Sequence, residues 1–401
     1  MSAGPRAFHL LTRPRAALVA LLLVPLAGCG GLGERVTGLF GSEDNITPPA
    51  ELVEFEPRAR VRERWRVGIG GTDEHYLRLA PVVSGDRVIA ASRDGDLAAF
   101  RLSDGERLWR VDTDRVITGA PGLGDGLVAI GTKEGRVLAF DVETGEQRWI
   151  KRVSSEVLAP PAIGAGTVVV HTGDGKLYAL EASSGARRWV YDREVPLLSL
   201  RGTGPPKIEG GTIYAGLDSG RIAALDPATG QSVWELRVAL PTGRSDLERI
   251  VDIDAELVIE GDTLFAASYH GKVAAISAYE GQIFWNRDIS SHAGVALTDR
   301  AVFISDEFGH VWAVARDSGV SIWKQDALTA RQISPPAAWN DTAVVADLEG
   351  YVHFMDGETG EFIARGRVGS ERILAAPVAT PAGVLVYSSD GRLALLDLEP
   401  I

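Results

Sequence analysis

Residues 134–149 read EGRVLAFDVETGEQRW. Gly135 follows an acid at a turn, Val137–Phe140 is an apolar run of strand length, Thr144-Gly145 marks a second tight turn, and Trp149 stands four residues beyond it. Asp-Gly, Glu-Gly and Thr-Gly pairs supply the positive φ that hairpin turns require. The same sentence is written elsewhere as Asp94–Phe100, Asp174–Leu180 and Ser219–Leu225. Its first glycine recurs at Gly95, Gly135, Gly175, Gly220, Gly271, Gly309, Gly350 and Gly391, 38 to 51 residues apart. Its tryptophan recurs at Trp109, Trp149, Trp189, Trp234, Trp285 and Trp323, and the seventh copy has Ala364 instead. Four short strands in about 40 residues make a propeller blade. No stretch between the strands suits a helix of about ten residues, so a parallel α/β sheet is excluded. The fold expected is all-β: an eight-bladed β-propeller of four-stranded blades.

The ends of the array specify how it closes. The eighth copy reaches Asp390–Asp397 and lacks an outer strand and a tryptophan, while an orphan Trp65 sits in Arg62–Val67, ahead of the first copy. The first strand is therefore expected to complete the last blade, leaving no free end in the ring. The tryptophans, Trp65 included, are expected to be structural, each packing on a neighbouring blade.

The remainder of the 401-residue chain reads as address and tether. Arg6, Arg13 and Arg15 precede an apolar run, residues 16–26. That run is too short to cross a bilayer, which takes about 20 residues. Leu26-Ala27-Gly28-Cys29 then forms a lipobox, and Cys29 is the only cysteine. The expected organisation is a lipoprotein signal peptide at 1–28, a lipidated Cys29 with a flexible tether over 29–60, and the propeller over 61–401. Cys29 would carry diacylglycerol and palmitate. Gly30 and Gly31 follow it where an Asp would retain such a protein in the inner membrane, so the expected location is the periplasmic face of the outer membrane, through the lipid alone. A net charge of −13 argues against a nucleic-acid partner.

The repeat is broken in two places. From Trp189 to the next repeat glycine is 31 residues, and from Trp234 it is 37, against 24 to 27 in most of the other intervals. Both insertions fall between an outer strand and the next inner strand, so they should neighbour each other on one face, and insertions of this kind mark binding faces. The first contains Leu198, Leu200 and Arg201; the second contains Asp252 and Asp254. Arginine beside exposed leucine is a common anchor set for a protein partner. Alternation puts the two carboxylates on one side of an extended segment. Core leucines and solvated acids are the competing reading of the pattern alone.

The Ala-x-Asp-x-x-Thr-Gly-x-x-x-Trp form of residues 139–149 and 224–234 resembles the pyrroloquinoline-quinone repeat. Two eight-bladed families carry it: quinone-dependent alcohol dehydrogenases and the outer-membrane assembly lipoprotein family BamB. The resemblance to the BamB family covers the whole chain, from lipobox to last blade. It implies a non-enzymatic scaffold in the β-barrel assembly (BAM) complex, bound to the periplasmic domains of BamA and through it to the other subunits, with nascent outer-membrane β-barrel proteins as a further partner. It also implies that Ser199-Leu200-Arg201-Gly202 and Asp252-Ile253-Asp254 form the BamA-binding surface.

The alternative is a quinone-dependent dehydrogenase or a cofactor-sensing propeller. Those enzymes resemble the repeat but run longer and carry a vicinal cysteine pair, which this chain lacks. No two of the seven histidines lie within five residues of each other, and no Gly-x-Ser-x-Gly elbow occurs. The sequence therefore points to no catalytic residue, no metal site and no cofactor.

Overall fold

The computed structural model describes residues 47–72, 77–192, 203–240 and 251–401. Residues from Pro48 to Ile401 form one compact unit of eight four-stranded antiparallel sheets. Among the described residues there is no α-helix. In blade 1 the strands are Val82–Ser84, Arg87–Ala91, Asp96–Arg101 and Arg107–Asp112, in spatial order. The innermost strand is three residues long and half-buried, the middle two are almost wholly buried, and the outer one is largely exposed. Blades 2 to 7 repeat this plan, ending with Phe362–Arg367.

Blade 8 closes the ring as the sequence requires. Val378–Thr380, Gly383–Tyr387 and Arg392–Pro400 supply its inner three strands, and Ala59–Gly68 pairs on the outside. The pairing runs from Ala59 opposite Pro400 to Gly68 opposite Arg392, with a bulge between Glu63 and Trp65. Arg62 fastens it through Asp397 at 2.8 Å and through Glu399.

The tryptophans explain why the repeat contains what it does. Trp65, Trp109, Trp149, Trp189, Trp234, Trp285 and Trp323 each lie against the Thr-Gly-type turn of the next blade. There the indole Nε1 donates to a turn carbonyl at 2.7–3.1 Å, from Leu102 O for Trp65 to Gly357 O for Trp323. Each ring covers a glycine of φ 66–75°, where an added Cβ would stand 2.6–2.8 Å from the indole. The turn's aspartate belongs to the same unit. Asp141 accepts from the amides of Glu143 and Thr144 and from Arg148, and these bonds, Arg148 first, hold its carboxyl down to about 2.

The single exception follows from the closure. Blade 8 has no turn between its third and outer strands, because those strands come from opposite ends of the chain. A tryptophan on blade 7 would have nothing to cover. Ala364 occupies its place, buried in a cluster against which Ala59 and Val61 pack.

Residues 48–58 depart from the flexible tether expected over 29–60. They lie along blades 6 and 7. Ala50 N donates to Thr329 O, Arg331 Nη1 donates to Ala50 O, Arg365 Nη1 donates to Val53 O, and Arg58 N donates to Ile363 O, at 2.9–3.0 Å. Phe55 packs on Phe362 with ring centroids 5.4 Å apart. Two apolar side chains, Leu52 and Phe55, join the blade 6–7 core, which a solvated linker would not do. The first strand accordingly begins at Ala59. Cys29 and the rest of 29–46 lie outside the described residues.

Candidate functional site: the channel mouth at blades 4 and 5

The turn between second and third strands shares a face with the outer-to-inner connections, and a repeated bond ties the two together. In blades 1, 2, 5, 6 and 8 the residue two before the repeat glycine donates its amide to the connection entering that blade: Arg93 to Gly71, Lys133 to Val116, Tyr269 to Asp252, Glu307 to Ser290 and Ser389 to Arg372. Asp252 is thus held by the repeat's own device. Residues 251–257 alternate about this anchor. Val251, Ile253, Ala255 and Leu257 are buried, and Ile253 joins the core between blades 4 and 5. The Ile253 carbonyl lies so close to Gly204 and Gly216 that a side chain at either would collide with it.

Between these apolar residues stand Asp252, only 2% exposed, and Asp254, half-buried. Asp252 is therefore not a solvated rim charge. Asp218, in the short turn Asp218–Gly220 of blade 4, joins them electrostatically. Burial, then the charges of Asp252 and Asp218, push Asp254 up to about 7 against the opposing pull of Arg78. Burial and Asp252 likewise push Asp218 up to about 6.

Arg78 comes from the approach to blade 1, on the opposite side of the ring from blade 5. Its Nη1 donates to the His292 carbonyl at 2.9 Å, so the side chain reaches across the channel mouth. The residue is exposed to solvent, and desolvation of its guanidinium lowers its pKa against the pull of Asp254. Burial first and Arg78 second depress His292 to about 4. Tyr269 completes the rim, stacked 3.8 Å from His270 and set edge-on to His292. The mouth therefore gathers three carboxylates, a guanidinium and a neutral imidazole, and burial with neighbouring charge displaces the ionisation of Asp254, Asp218, Arg78 and His292. Such displacement is characteristic of functional sites.

Of the residues the sequence singles out, Asp252 and Asp254 lie here. Leu198, Leu200 and Arg201 fall outside the described residues. Arg78, Asp218, Tyr269 and His292 were missed. For two of them a signal existed: Asp218 and Tyr269 each stand two residues before a repeat glycine, the position at which Tyr269 makes the anchoring bond. Arg78 and His292 carry no repeat signal, and only closure of the ring brings Arg78 near Asp254. Among the described residues, no group of three His, Cys, Asp or Glu side chains could hold a metal.

Residues 93–325 match the family model described as outer membrane protein assembly factor BamB. The outer membrane protein assembly factor BamB of Pseudomonas aeruginosa is 44% identical over 363 residues, covering 90% of this chain and 96% of that one. The chain belongs to the BamB family. The crystal structure of BamB from Moraxella catarrhalis superposes with a TM-score of 0.77 at 30% identity, over 84% of this chain and 99% of that one. The quinohemoprotein alcohol dehydrogenase of Comamonas testosteroni also superposes, with a TM-score of 0.66, over 84% of this chain and 76% of that one. At 13% identity that likeness is one of fold alone. BamB membership thus carries the functional reading, and the dehydrogenase alternative is not favoured.

Proposed function

We propose that the chain is a non-enzymatic scaffold for outer-membrane protein assembly, anchored through lipid on Cys29 at the periplasmic face, and that its channel mouth at blades 4 and 5 binds a periplasmic domain of BamA. Through BamA it would reach the other BAM subunits. The observation that carries the reading is the convergence at one mouth of the family's Asp-x-Asp segment with Asp218, opposite Arg78, where the ionisation of Asp254 and Asp218 is displaced. A partner that brings a cation to Asp254 favours the ionised form that burial and neighbouring carboxylates oppose in the free protein, so binding and electrostatic relief coincide. Leu198, Leu200 and Arg201 belong to the same proposal on sequence grounds: apolar anchors for buried area and a guanidinium for orientation. The test is capture of BamA from solubilised outer membranes by the lipidated chain. BamA should be retained by the native protein and lost from a Leu200→Ala/Arg201→Ala variant that melts normally. Equal retention by both would move the site off this mouth. Cys29→Ser should in turn release the protein from the outer membrane; a variant that still sediments with it is anchored elsewhere.

A further inference from the structure

We infer that His353 is a proton-sensitive catch for residues 48–58: neutral, it keeps that segment seated along blades 6 and 7, and on gaining a proton it frees the segment without unfolding the propeller. With the segment seated, the chain's first hold on the propeller is Ala50, at Thr329 in the blade 6–7 connection, on the face of the channel mouth. Freed, the first hold becomes Ala59, opposite Pro400, at the far end of a strand whose mouth-side end pairs Gly68 with Arg392. With lipid on Cys29, the stretch between anchor and propeller then grows from 20 to 29 residues and leaves from the other face. That consequence rests on the anchored-scaffold reading, whereas the catch itself does not.

Blade 7 departs from the repeat at the position three before the repeat glycine. Blades 1, 2, 3, 5 and 8 carry a buried Ser or Thr there, Ser92, Thr132, Thr172, Ser268 and Ser388, whose hydroxyl bonds to its own turn. Asp347 does the same through Oδ1, accepting from the amides of Glu349 and Tyr351 at 3.0 Å, and has Oδ2 to spare. Asp306 of blade 6 uses its own second oxygen inside the blade, on His310 and Trp312. Asp347 Oδ2 instead meets Arg331 Nε at 2.7 Å and His353 Nε2 at 3.0 Å, and all three side chains are buried. Facing a carboxylate, Nε2 carries the proton, so Nδ1 is an acceptor; Arg365 Nε donates to it at 3.1 Å. The imidazole is thereby fixed in its neutral form. The two guanidiniums that this network aims are the ones that grip the segment. Arg331 holds the Ala50 carbonyl and Arg365 the Val53 carbonyl, and Arg365 also lies 5.0 Å over the Phe55 ring.

A second proton on His353 goes to Nδ1, where it meets the Arg365 N–H. A hydrogen bond becomes donor against donor and cation against cation. The polar groups facing the ring are Asp347 and Arg331 from the turn and the connection, Arg365 from the outer strand and Tyr351 from its own strand. Glu349 is engaged with Arg331, and the segment's Glu54 and Glu56 are exposed. Asp347 attracts the new charge, but the same oxygen already accepts from Arg331. Arg365 is the member that can leave: it is half-buried, and its Nη2 has no hydrogen-bond partner among the described residues. Its departure releases Val53 and Phe55 together. Burial lowers the pKa of His353 against the pull of Asp347, and the charges of Arg365 and Arg331 lower it further. The seated form therefore binds the proton less well than the released form. Seating is intact above the released form's pKa, about 6.5 for an ordinary histidine. It weakens as pH falls below that value, by at most about tenfold per pH unit for one proton.

The experiment places a nitroxide label on Glu54→Cys in the full, detergent-solubilised chain and follows its mobility between pH 8 and pH 5. The ratio of fast to slow label should rise reversibly by about tenfold or more, while tryptophan fluorescence stays native. A label on Glu280→Cys of blade 5 should not respond. His353→Gln keeps a neutral donor and acceptor at this place and should stay seated at pH 5. Arg365→Met keeps the apolar contact without the grip and should be released at pH 8. Repeating the titration in a Cys29→Ser chain separates the two readings: the same response there supports the catch even where the lipid anchor lies elsewhere. The proposal is overturned by any of three results: a label at position 54 that ignores pH, an undiminished response in His353→Gln, or release only where the whole propeller unfolds. Should His353→Gln fail to fold, Arg365→Met decides alone, and a native pH response in it overturns the catch.

Discussion

Blades 4 and 5 meet in two different ways at two heights. On the outside, Trp234 covers Gly281 and its indole donates to the Ala278 carbonyl at 2.9 Å. At the mouth, Asp254 and Asp218 are held in surroundings that oppose their ionisation. Among the described residues, the first junction recurs at seven places around the ring, and the second occurs once. A repeat stabilises by using the same solution each time, whereas a binding site departs from the repeat and gives up stability to do so. Side chains at the two heights should therefore respond to mutation with opposite signs.

The largest effect belongs to the tryptophan lock. Trp149 is buried, donates to Ala182 O at 2.7 Å and lies on Gly185. Trp149→Ala should lower stability by about 3–5 kcal/mol, read by chemical denaturation, with BamA affinity retained at temperatures where the variant is folded. Native stability would mean that the indole is dispensable and the lock is not what joins the blades.

Next in size is the junction where the lock is missing. Ala364→Trp restores the repeat's consensus but offers the indole no turn, only the space that Ala59 and Val61 already fill. Overpacking of this kind costs about 1–3 kcal/mol. A gain in melting temperature would show that blade 8 can accept a lock, contrary to its split topology.

The smallest effect, opposite in sign, is at the mouth. The Asp254 carboxyl titrates near 7 in the folded chain and near 4 when unfolded. The folded state therefore holds the extra proton between those values, and stability falls as pH rises from about 4 to about 7. Asp254→Asn removes that loss. It should stabilise the protein by about 1 kcal/mol at pH 8, allowing for solvent screening, and the gain should vanish by pH 4. A variant that is destabilised equally at both pH values would mean that the carboxylate is a structural partner rather than a strained charge.

The sequence carries the first kind of junction openly. Glycine, aspartate and tryptophan spacings report the turns, the strands and the closure through Trp65 because each copy must meet the same steric and hydrogen-bonding demand. It carries the second kind only in part. The long insertions and Asp252-Ile253-Asp254 point to the blades where the displaced carboxylates of the mouth lie, and the period-two pattern separates Ile253 from its acidic neighbours. The contribution of Arg78 is set by ring closure, which brings residues more than 170 positions apart to one opening, and no local pattern encodes that. The seating of residues 48–58 was also hidden. Their prolines and mixed charge read as linker, and the cue that outweighs this is the pair Leu52 and Phe55, meaningful only once the blade 6–7 groove is known.

The central claim is that the mouth binds and the locks stabilise. Titration of purified BamA periplasmic domains against wild type, Arg201→Ala, and Trp149→Ala held below its melting temperature tests both halves at once. The account predicts that Arg201→Ala loses about thirtyfold in affinity, the equivalent of about 2 kcal/mol, at unchanged melting temperature, while Trp149→Ala binds as wild type does. Wild-type affinity in Arg201→Ala, or a loss confined to Trp149→Ala, would contradict it.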